Sequence, residues 1–305
     1  MLKKFTLNTS IFIVLLALPI IVGLFLPATP RATTSLFFAQ IDKDSLLQNN
    51  SSPRLILIGG SNLSFGIKSS ILKDSLQVNP INTGISASLG LIYMLKHTLP
   101  FVQKNDLVIV VPEYEQFYGD LAYGKEELLR MLLDVKTDDF SHLNSKQVIS
   151  IGAYTPSYSF SKFKWTEYIN PELSIVYSRS SFNEFGDAVA HYKLPSVKIK
   201  AINTIDDDFN SDIINELKLF QNDILAKGAK FYISFPGTQK STFDILKPFV
   251  DEVENALRKE HFSVLGIPED YVYNDSLIFN SAYHLTEKGA EKRTIQLLKN
   301  FKQNN

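Results

Sequence analysis

The stretch Arg54-Leu-Ile-Leu-Ile-Gly-Gly-Ser61-Asn-Leu-Ser-Phe-Gly66 decides the fold of this chain. Its aliphatic part, Leu55 to Ile58, lacks polar alternation and predicts a short strand buried on both faces, as in a parallel sheet covered by helices. The two glycines that follow allow a sharp turn, which places Ser61 at the carboxyl end of a central strand. Ligands of open α/β sheets bind at that end. Ser61 is therefore a candidate nucleophile; a turn serine and a helix N-cap are the alternatives.

Strand and helix patterns alternate along the rest of the chain. Buried strands are predicted at 106–111 and 230–235, with a short extended piece at 79–84 and short runs near Val264 and Ile278. Helical spacing covers 65–76, 85–101, 125–135, 211–226, 242–259 and 287–302. This alternation predicts a three-layer α/β/α sandwich with a mainly parallel sheet.

The N-terminus carries a membrane signal. Lys3 and Lys4 precede sixteen uncharged residues, 11–26, a run longer than most signal-peptide cores and slightly short for a full span. Pro30 interrupts any small-x-small cleavage site, which favours an uncleaved anchor over residues 1–32; a cleaved signal peptide and a buried core helix are the alternatives. The two lysines outnumber Arg31, so we expect a single-pass membrane protein with its main domain extracytoplasmic.

We expect three regions: the anchor, a stalk over residues 33–53, and one α/β domain over 54–305 with an insertion at about 136–206. The insertion lacks clear periodicity and contains an aromatic cluster. These rings form a stacking platform for sugars or pack the insertion onto the body. The cluster comprises Tyr154, Tyr158, Phe160, Phe163, Trp165 and Tyr168.

Composition excludes several classes of function. The net charge is −1 and no block of like charge occurs, so nucleic acid is not an expected partner. The absence of cysteine excludes disulfides, thiolate metal sites and a cysteine nucleophile. Five histidines occur without the short spacing of a metal site, so neither a bound metal nor a cofactor is expected.

One histidine has an informative setting. His284 lies in a polar loop, 279–289, directly before the last helix. In a sheet wound this way, that loop can lie over the strand ends that carry Ser61. A serine nucleophile needs a neighbouring base, because its hydroxyl is otherwise almost never ionised. His284 is the candidate for that base.

Three short blocks resemble the SGNH (GDSL-type) hydrolase superfamily: Gly60-Ser61 after a strand, Asn82-x-Gly84, and Tyr283-His284-Leu285. The resemblance spans about 54–301 without the insertion and is greatest to membrane-anchored bacterial SGNH-like proteins encoded with cell-surface polysaccharide genes.

This resemblance implies a flavodoxin-like sheet and transfer or removal of O-acetyl groups. Ser61 would attack the acyl carbonyl, and His284 would take its proton and return it to the leaving group. The backbone N–H groups of Ser61 and Gly84 would line the oxyanion hole, with Gly60 and Asn62 in the same turn.

Two departures from the family pattern concern the oxyanion hole. Gly60 stands where the family usually has an aspartate, and Pro112-Glu-Tyr-Glu-Gln116 replaces a block that normally ends in an oxyanion-hole asparagine. A carboxylate there would repel a developing oxyanion. Either Tyr114 or Gln116 donates instead, or Glu113 and Glu115 bind substrate hydroxyls.

A third departure concerns the acid that orients the histidine. Ser281 occupies the position of the family's aspartate, and Asn280 precedes it. An amide can hold an imidazole but does not stabilise the imidazolium as a carboxylate does. Either a nearby acid supplies the charge, or serine and histidine work as a dyad. The candidate acids are Asp270, Asp275 and Glu113.

Three functions are compatible with these features. The first is O-acyl transfer, of an acetyl group in the leading interpretation, through an acyl-Ser61 intermediate to a cell-envelope polysaccharide, with a membrane protein as a possible acyl donor. The second is a carbohydrate esterase that uses the same serine and histidine. The third is an inactive SGNH-type fold that binds glycan or assists assembly.

Overall fold

The structure is a computed structural model that describes residues 2–169 and 174–304. The strands within these ranges are β1 (Arg54–Gly59), β2 (Asn79–Asn82), β3 (Leu107–Val111), β4 (Lys230–Ser234), β5 (Thr238–Gln239), β6 (Val264–Leu265) and β7 (Val272–Tyr273). The α-helices are α1 (Leu2–Phe25), α2 (Pro30–Thr33), α3 (Ala39–Asn49), α4 (Ser61–Ser64), α5 (Ser69–Leu76), α6 (Leu91–Thr98), α7 (Glu126–Asp134), α8 (Ser145–Gly152), α9 (Thr155–Ser161), α10 (Asp212–Ala226), α11 (Lys240–Lys259) and α12 (Glu287–Gln303).

A five-stranded parallel sheet in the order β2-β1-β3-β4-β6 forms the centre of the fold. Helices flank it, with α6 against β1 and α10 against β4, so the predicted α/β architecture with a mainly parallel sheet is confirmed. All six residues of β1 are buried, as its unbroken aliphatic sequence predicts. The strand order reverses direction between β1 and β3, the place where open α/β sheets bind ligands.

The register of β1 on β3 explains which loops meet at that place. Gly59, the last residue of β1, pairs with Val111, the last residue of β3. Ser61 and Glu113 each lie two residues beyond this pair. The two loops therefore start side by side at the carboxyl edge of the sheet.

The N-terminal helix α1 is long and apolar enough to cross a membrane, judged by length and composition. Residues 39–49, inside the predicted stalk over 33–53, form α3, which packs onto the domain. Leu47 of α3 joins the hydrophobic core, and Lys43 Nζ donates 2.7 Å to the carbonyl of Asn82 at the end of β2. The sequence of α3 has too few apolar residues to predict that the helix is buried. Its buried polar side chains are hydrogen-bonded to other parts of the protein, as Lys43 is to Asn82.

Two further details differ from the sequence prediction. The run near Ile278 forms only an isolated antiparallel bridge with Leu285, and does not extend the main sheet. The helix predicted at 85–101 begins only at Leu91, since Gly90 adopts a φ of 84°, which interrupts helical geometry.

The rings of the aromatic cluster in the insertion differ in burial. Tyr158 alone is fully buried, at 0% exposure, while four of the rings are at least 46% exposed.

Candidate active site

Ser61 is the first residue of α4, directly beyond the carboxyl end of β1. Its side chain is partly exposed, and its Oγ lies 3.5 Å from Glu113 Oε1. The structure thus leaves Ser61 partly exposed and places a carboxyl group from the loop after β3 beside its hydroxyl.

Gly60 is required by close packing at this turn. A Cβ on Gly60 would lie 2.7 Å from the backbone nitrogen of Ala87 and 2.9 Å from Glu113 Oε1. An aspartate, which the SGNH pattern has here, would clash with both groups. Glycine at this position and glutamate at position 113 therefore fit together as a pair.

Asn62, predicted as a residue of the substrate site, is fully buried, and its side chain is hydrogen-bonded within the protein. Its Nδ2 donates 3.1 Å to the carbonyl of Val111, and its Oδ1 accepts 3.0 Å from Arg293 Nη2. Arg293 comes from α12, is 2% exposed, and also donates to the Asn62 carbonyl. These bonds fix the Ser61 turn between β3 and the last helix.

Glu113 has an unusual electrostatic environment. Burial and the nearby Glu115 raise the pKa of Glu113 to about 7, despite hydrogen bonds from Asn62 and Ser61 that favour the charged form. The Asn62 backbone N–H donates 3.1 Å to Glu113 Oε1. Near neutral pH the carboxyl group beside Ser61 is thus partly protonated, and it can donate as well as accept a hydrogen bond.

His284 lies against the same turn. Its ring stacks on Phe65, with centroids 4.2 Å apart and an interplanar angle of 15°. The backbone N–H of Leu285 donates 3.2 Å to the carbonyl of Phe65, which ties the histidine loop to the end of α4. The loop from the C-terminal part of the chain therefore meets the helix that begins at Ser61.

Asn280 holds the imidazole. Its Nδ2 donates 2.8 Å to the Tyr177 hydroxyl, so its Oδ1 faces His284 Nδ1 at 2.8 Å. An amide oxygen only accepts, which places the imidazole proton on Nδ1 and leaves the lone pair on Nε2. This is the tautomer that a general base needs.

No carboxylate supports His284 within the described residues. Burial and the neighbouring His191 lower the pKa of His284 to about 3. Of the three candidate acids, Asp270 accepts 2.9 Å from Asn300, Asp275 accepts 3.1 Å from Gln239, and Glu113 accepts from Ser61 and Asn62. Within the described residues, no hydrogen bond joins Ser61 to His284. The imidazole is neutral at physiological pH, and its cation is poorly stabilised.

Successive side chains in the loop after β3 differ in their burial and in their hydrogen-bond partners. Glu115 accepts 2.7 Å from the hydroxyl of Tyr283, so this carboxyl also contacts the histidine loop. Tyr114 is 1% exposed and lies in the hydrophobic core, whereas Gln116 Nε2 donates 3.1 Å to the carbonyl of Ala87. The Tyr114 hydroxyl has no hydrogen-bond partner among the described residues and the Gln116 amide is already paired, so a donor role of either toward substrate stays a prediction.

Gly84 lies beside the turn but its N–H is already paired. It donates 3.0 Å to Asn82 Oδ1, and the Gly84 carbonyl accepts 2.6 Å from Ser64 Oγ. A substrate could use this N–H only after displacement of the Asn82 side chain.

Sequence reasoning missed three contributors: Phe65, Tyr177 and Arg293. Arg293 had a detectable signal, since it falls three residues after Ala290 on the inward face of the last helix, where an arginine needs buried acceptors. Phe65 belongs to the stretch 54–66, but nothing in the sequence indicates that its ring stacks on His284. Tyr177 lies in the insertion, and no pattern connects it with Asn280.

No protein-family model and no curated protein sequence matches this chain. The described residues contain no group of three or more histidine, cysteine, aspartate or glutamate side chains that could hold a metal ion.

Proposed function

We propose that this chain is a membrane-anchored SGNH-type serine acyltransferase that carries an acyl group on Ser61. The observation that carries the proposal is the position of His284. Its ring stacks on Phe65, the residue that follows the helix beginning at Ser61, and Asn280 holds it with Nε2 free of a proton. A serine at a strand end and a correctly protonated imidazole in the adjoining loop are the two groups that acyl transfer requires.

The proposed chemistry has two steps. Ser61 Oγ attacks the acyl carbonyl of the donor while its proton passes to His284 Nε2, and the same proton then leaves with the departing alcohol. An acceptor hydroxyl next gives its proton to Nε2 and attacks the acyl-Ser61 ester, which returns the serine proton and releases the acylated product. The Ser61 hydroxyl, which lies 3.5 Å from Glu113, must first turn toward the imidazole.

We assign Glu113 a role in the tetrahedral intermediate. The protonated carboxyl beside Ser61 can donate a hydrogen bond to the oxyanion, as the missing asparagine amide would. Its pKa of about 7, raised by burial, keeps a substantial protonated fraction at neutral pH. The ionised form would repel the oxyanion instead.

The membrane helix and the family resemblance support a proposed class of acceptor. A domain held outside the cell at the membrane meets envelope polysaccharides, whose hydroxyls are the proposed acceptors, and a membrane protein could deliver the acyl group. An esterase would share the first step and differ only in using water as the acceptor.

A glycan-binding or assembly role is the second candidate, and specific contacts favour it. Asn280 replaces the acid that would stabilise the imidazolium, and the Gly84 N–H is occupied by Asn82. Such a protein would keep the fold but would form no acyl-serine.

The deciding experiment treats the detergent-solubilised full chain with p-nitrophenyl acetate and searches for one added acetyl mass on Ser61 by peptide mass spectrometry. We expect an adduct in wild type and none in Ser61→Ala. Ser70→Ala, which changes an exposed serine on α5, is the matched control and should retain the adduct. Absence of both adduct and p-nitrophenol release, with glycan binding intact, would establish the binding role.

A second measurement separates transfer from hydrolysis. Oligosaccharide acceptors are added to the acylated protein, and acetylated sugar and free acetate are quantified. Acetate alone at every acceptor concentration would rule out the transferase and leave the esterase.

A further inference from the structure

Most of the surface of α1 is apolar and is not covered by the rest of the protein. Large apolar side chains are exposed around the helix, among them Phe12 at 63% and Leu15 at 64%. Water disfavours such a continuous apolar surface, whereas the hydrocarbon of a bilayer matches it. The helix has the composition to cross a membrane, and its first half contacts little of the protein.

The last turns of α1, in contrast, pack on α9 within the insertion. A Cβ on Gly23 would lie only 2.5 Å from the carbonyl oxygen of Ser159 and 2.7 Å from its Cα. The two backbones are therefore in direct contact, an approach that small residues permit between helices in membranes.

Three contacts align the insertion with the end of α1 and the residues that follow it. Ser159 touches Gly23, Lys162 Nζ donates 3.3 Å to the carbonyl of Pro27, and Glu167 Oε2 accepts 2.9 Å from Thr29 Oγ1. Residues 159–167 thus run alongside residues 23–29 in the same direction. Gly23 lies about 5 Å before Leu26, the end of the apolar run, at the rise of an α-helix.

This alignment brings exposed aromatic side chains to the level at which the apolar run ends. Trp165 is 73% exposed, and four other apolar residues of the same segment are 46–50% exposed. We call this set the aromatic segment; it comprises Phe160, Phe163, Trp165, Tyr168 and Ile169. Tryptophan and tyrosine concentrate at the membrane–water interface, because their rings are apolar with one polar end.

The charges of the segment suit the same location. Lys162 forms an ion pair with Asp134 at 2.6 Å, with both side chains at most 5% exposed, so this charge is neutralised inside the protein. Glu167 lies 3.5 Å from Arg31. Lys164 is exposed and can reach lipid phosphates.

We propose that the aromatic segment inserts into the interfacial layer of a phospholipid bilayer beside α1, as a second membrane contact. The insertion then holds the domain against the membrane surface instead of leaving it on a tether. This contact is independent of the proposed acyl transfer.

Trp165 is the only tryptophan in the chain, so its fluorescence reports on this segment alone. The full-length protein is reconstituted into phosphatidylcholine vesicles whose acyl chains carry bromine either near the headgroup or near the chain end. We expect strong quenching by the bromine near the headgroup, weaker quenching by the deeper bromine, and an emission maximum shifted to the blue of exposed tryptophan.

The control is the double variant Trp165→Phe with Leu225→Trp. Leu225 is 52% exposed near the end of α10, just before β4 begins and so at the sheet edge opposite Ser61. Its tryptophan should escape quenching by either lipid. The proposal is overturned if Trp165 in the otherwise unchanged protein is equally unquenched. A response of that unquenched Trp165 to soluble oligosaccharide would assign the rings to sugar stacking instead.

Discussion

Asn280 Oδ1 lies 2.8 Å from His284 Nδ1, so an amide and not a carboxylate fixes the imidazole. Replacing Asn280 by aspartate should place a negative charge against the ring with little change in shape. We expect the pKa of His284 to rise from about 3 and acyl transfer to accelerate by at least ~10-fold, since the imidazolium gains a counter-charge.

The histidine titration is followed by NMR of the imidazole nitrogens, and the rate by acetyl adduct formation on Ser61. Asn274→Asp adds the same charge at an exposed position in the preceding turn and should alter neither quantity. An upward shift of the His284 pKa without any gain in rate would contradict a role for His284 as the base.

Glu113 should make activity depend on pH. If its protonated carboxyl donates to the oxyanion, the rate of the wild type falls as pH rises through about 7, where the group ionises. Glu113→Gln keeps a donor at every pH and should lose this alkaline decline. The pH–rate profile of acyl-serine formation measures this alkaline decline. Glu291→Gln, at an exposed position of α12, is the control. Persistence of the decline in Glu113→Gln would assign it to another group.

The same carboxyl should affect stability with a defined sign. A folded-state pKa of about 7, above the ordinary glutamate pKa of 4.5, means that the folded chain binds more protons than the unfolded chain between these pH values. Stability therefore falls as pH rises through this window, by roughly 3 kcal/mol at most. Glu113→Gln should remove that loss and raise the melting temperature relative to wild type above about pH 7.

His97 is predicted to act as a charged clamp away from the site. Its two ring nitrogens lie 2.8 Å from Asp44 and 2.7 Å from Asp139, which joins α3 and α6 to the start of the insertion. Burial lowers the pKa of His97, but the hydrogen bonds to the two aspartates outweigh it and raise the pKa to about 9. Because the folded-state pKa is raised, this stabilisation is complete below about pH 6.5 and is lost as pH rises through about 9.

Replacing His97 by alanine leaves two buried carboxylates without their shared cation. We expect a loss of about 3–5 kcal/mol at neutral pH, measured by urea unfolding of the full chain in detergent. His261→Asn is the control, since His261 is exposed and asparagine tolerates its φ of 58°. Equal stability of the His97 variant and wild type would show that the clamp is not structural.

Periodicity predicted much of the architecture because local side-chain patterns encode it. The aliphatic runs of β1 and β3 can be buried only between helices, and the glycines after Ile58 end the first strand where a site forms. The amphipathic patterns of α10 and α12 likewise fixed their positions. Short polar helices such as α3 escaped prediction, because their burial depends on partners such as Asn82 that are distant in the sequence.

By itself, the sequence determined an apolar N-terminal helix, a mainly parallel sheet and a serine at the end of its first strand. Only the tertiary structure decided that Glu113 borders Ser61, that Asn280 holds His284, and that α9 lies against Gly23. The physical reason is that strand register and loop docking bring together residues far apart along the chain. Burial then sets their protonation, which composition and spacing do not encode.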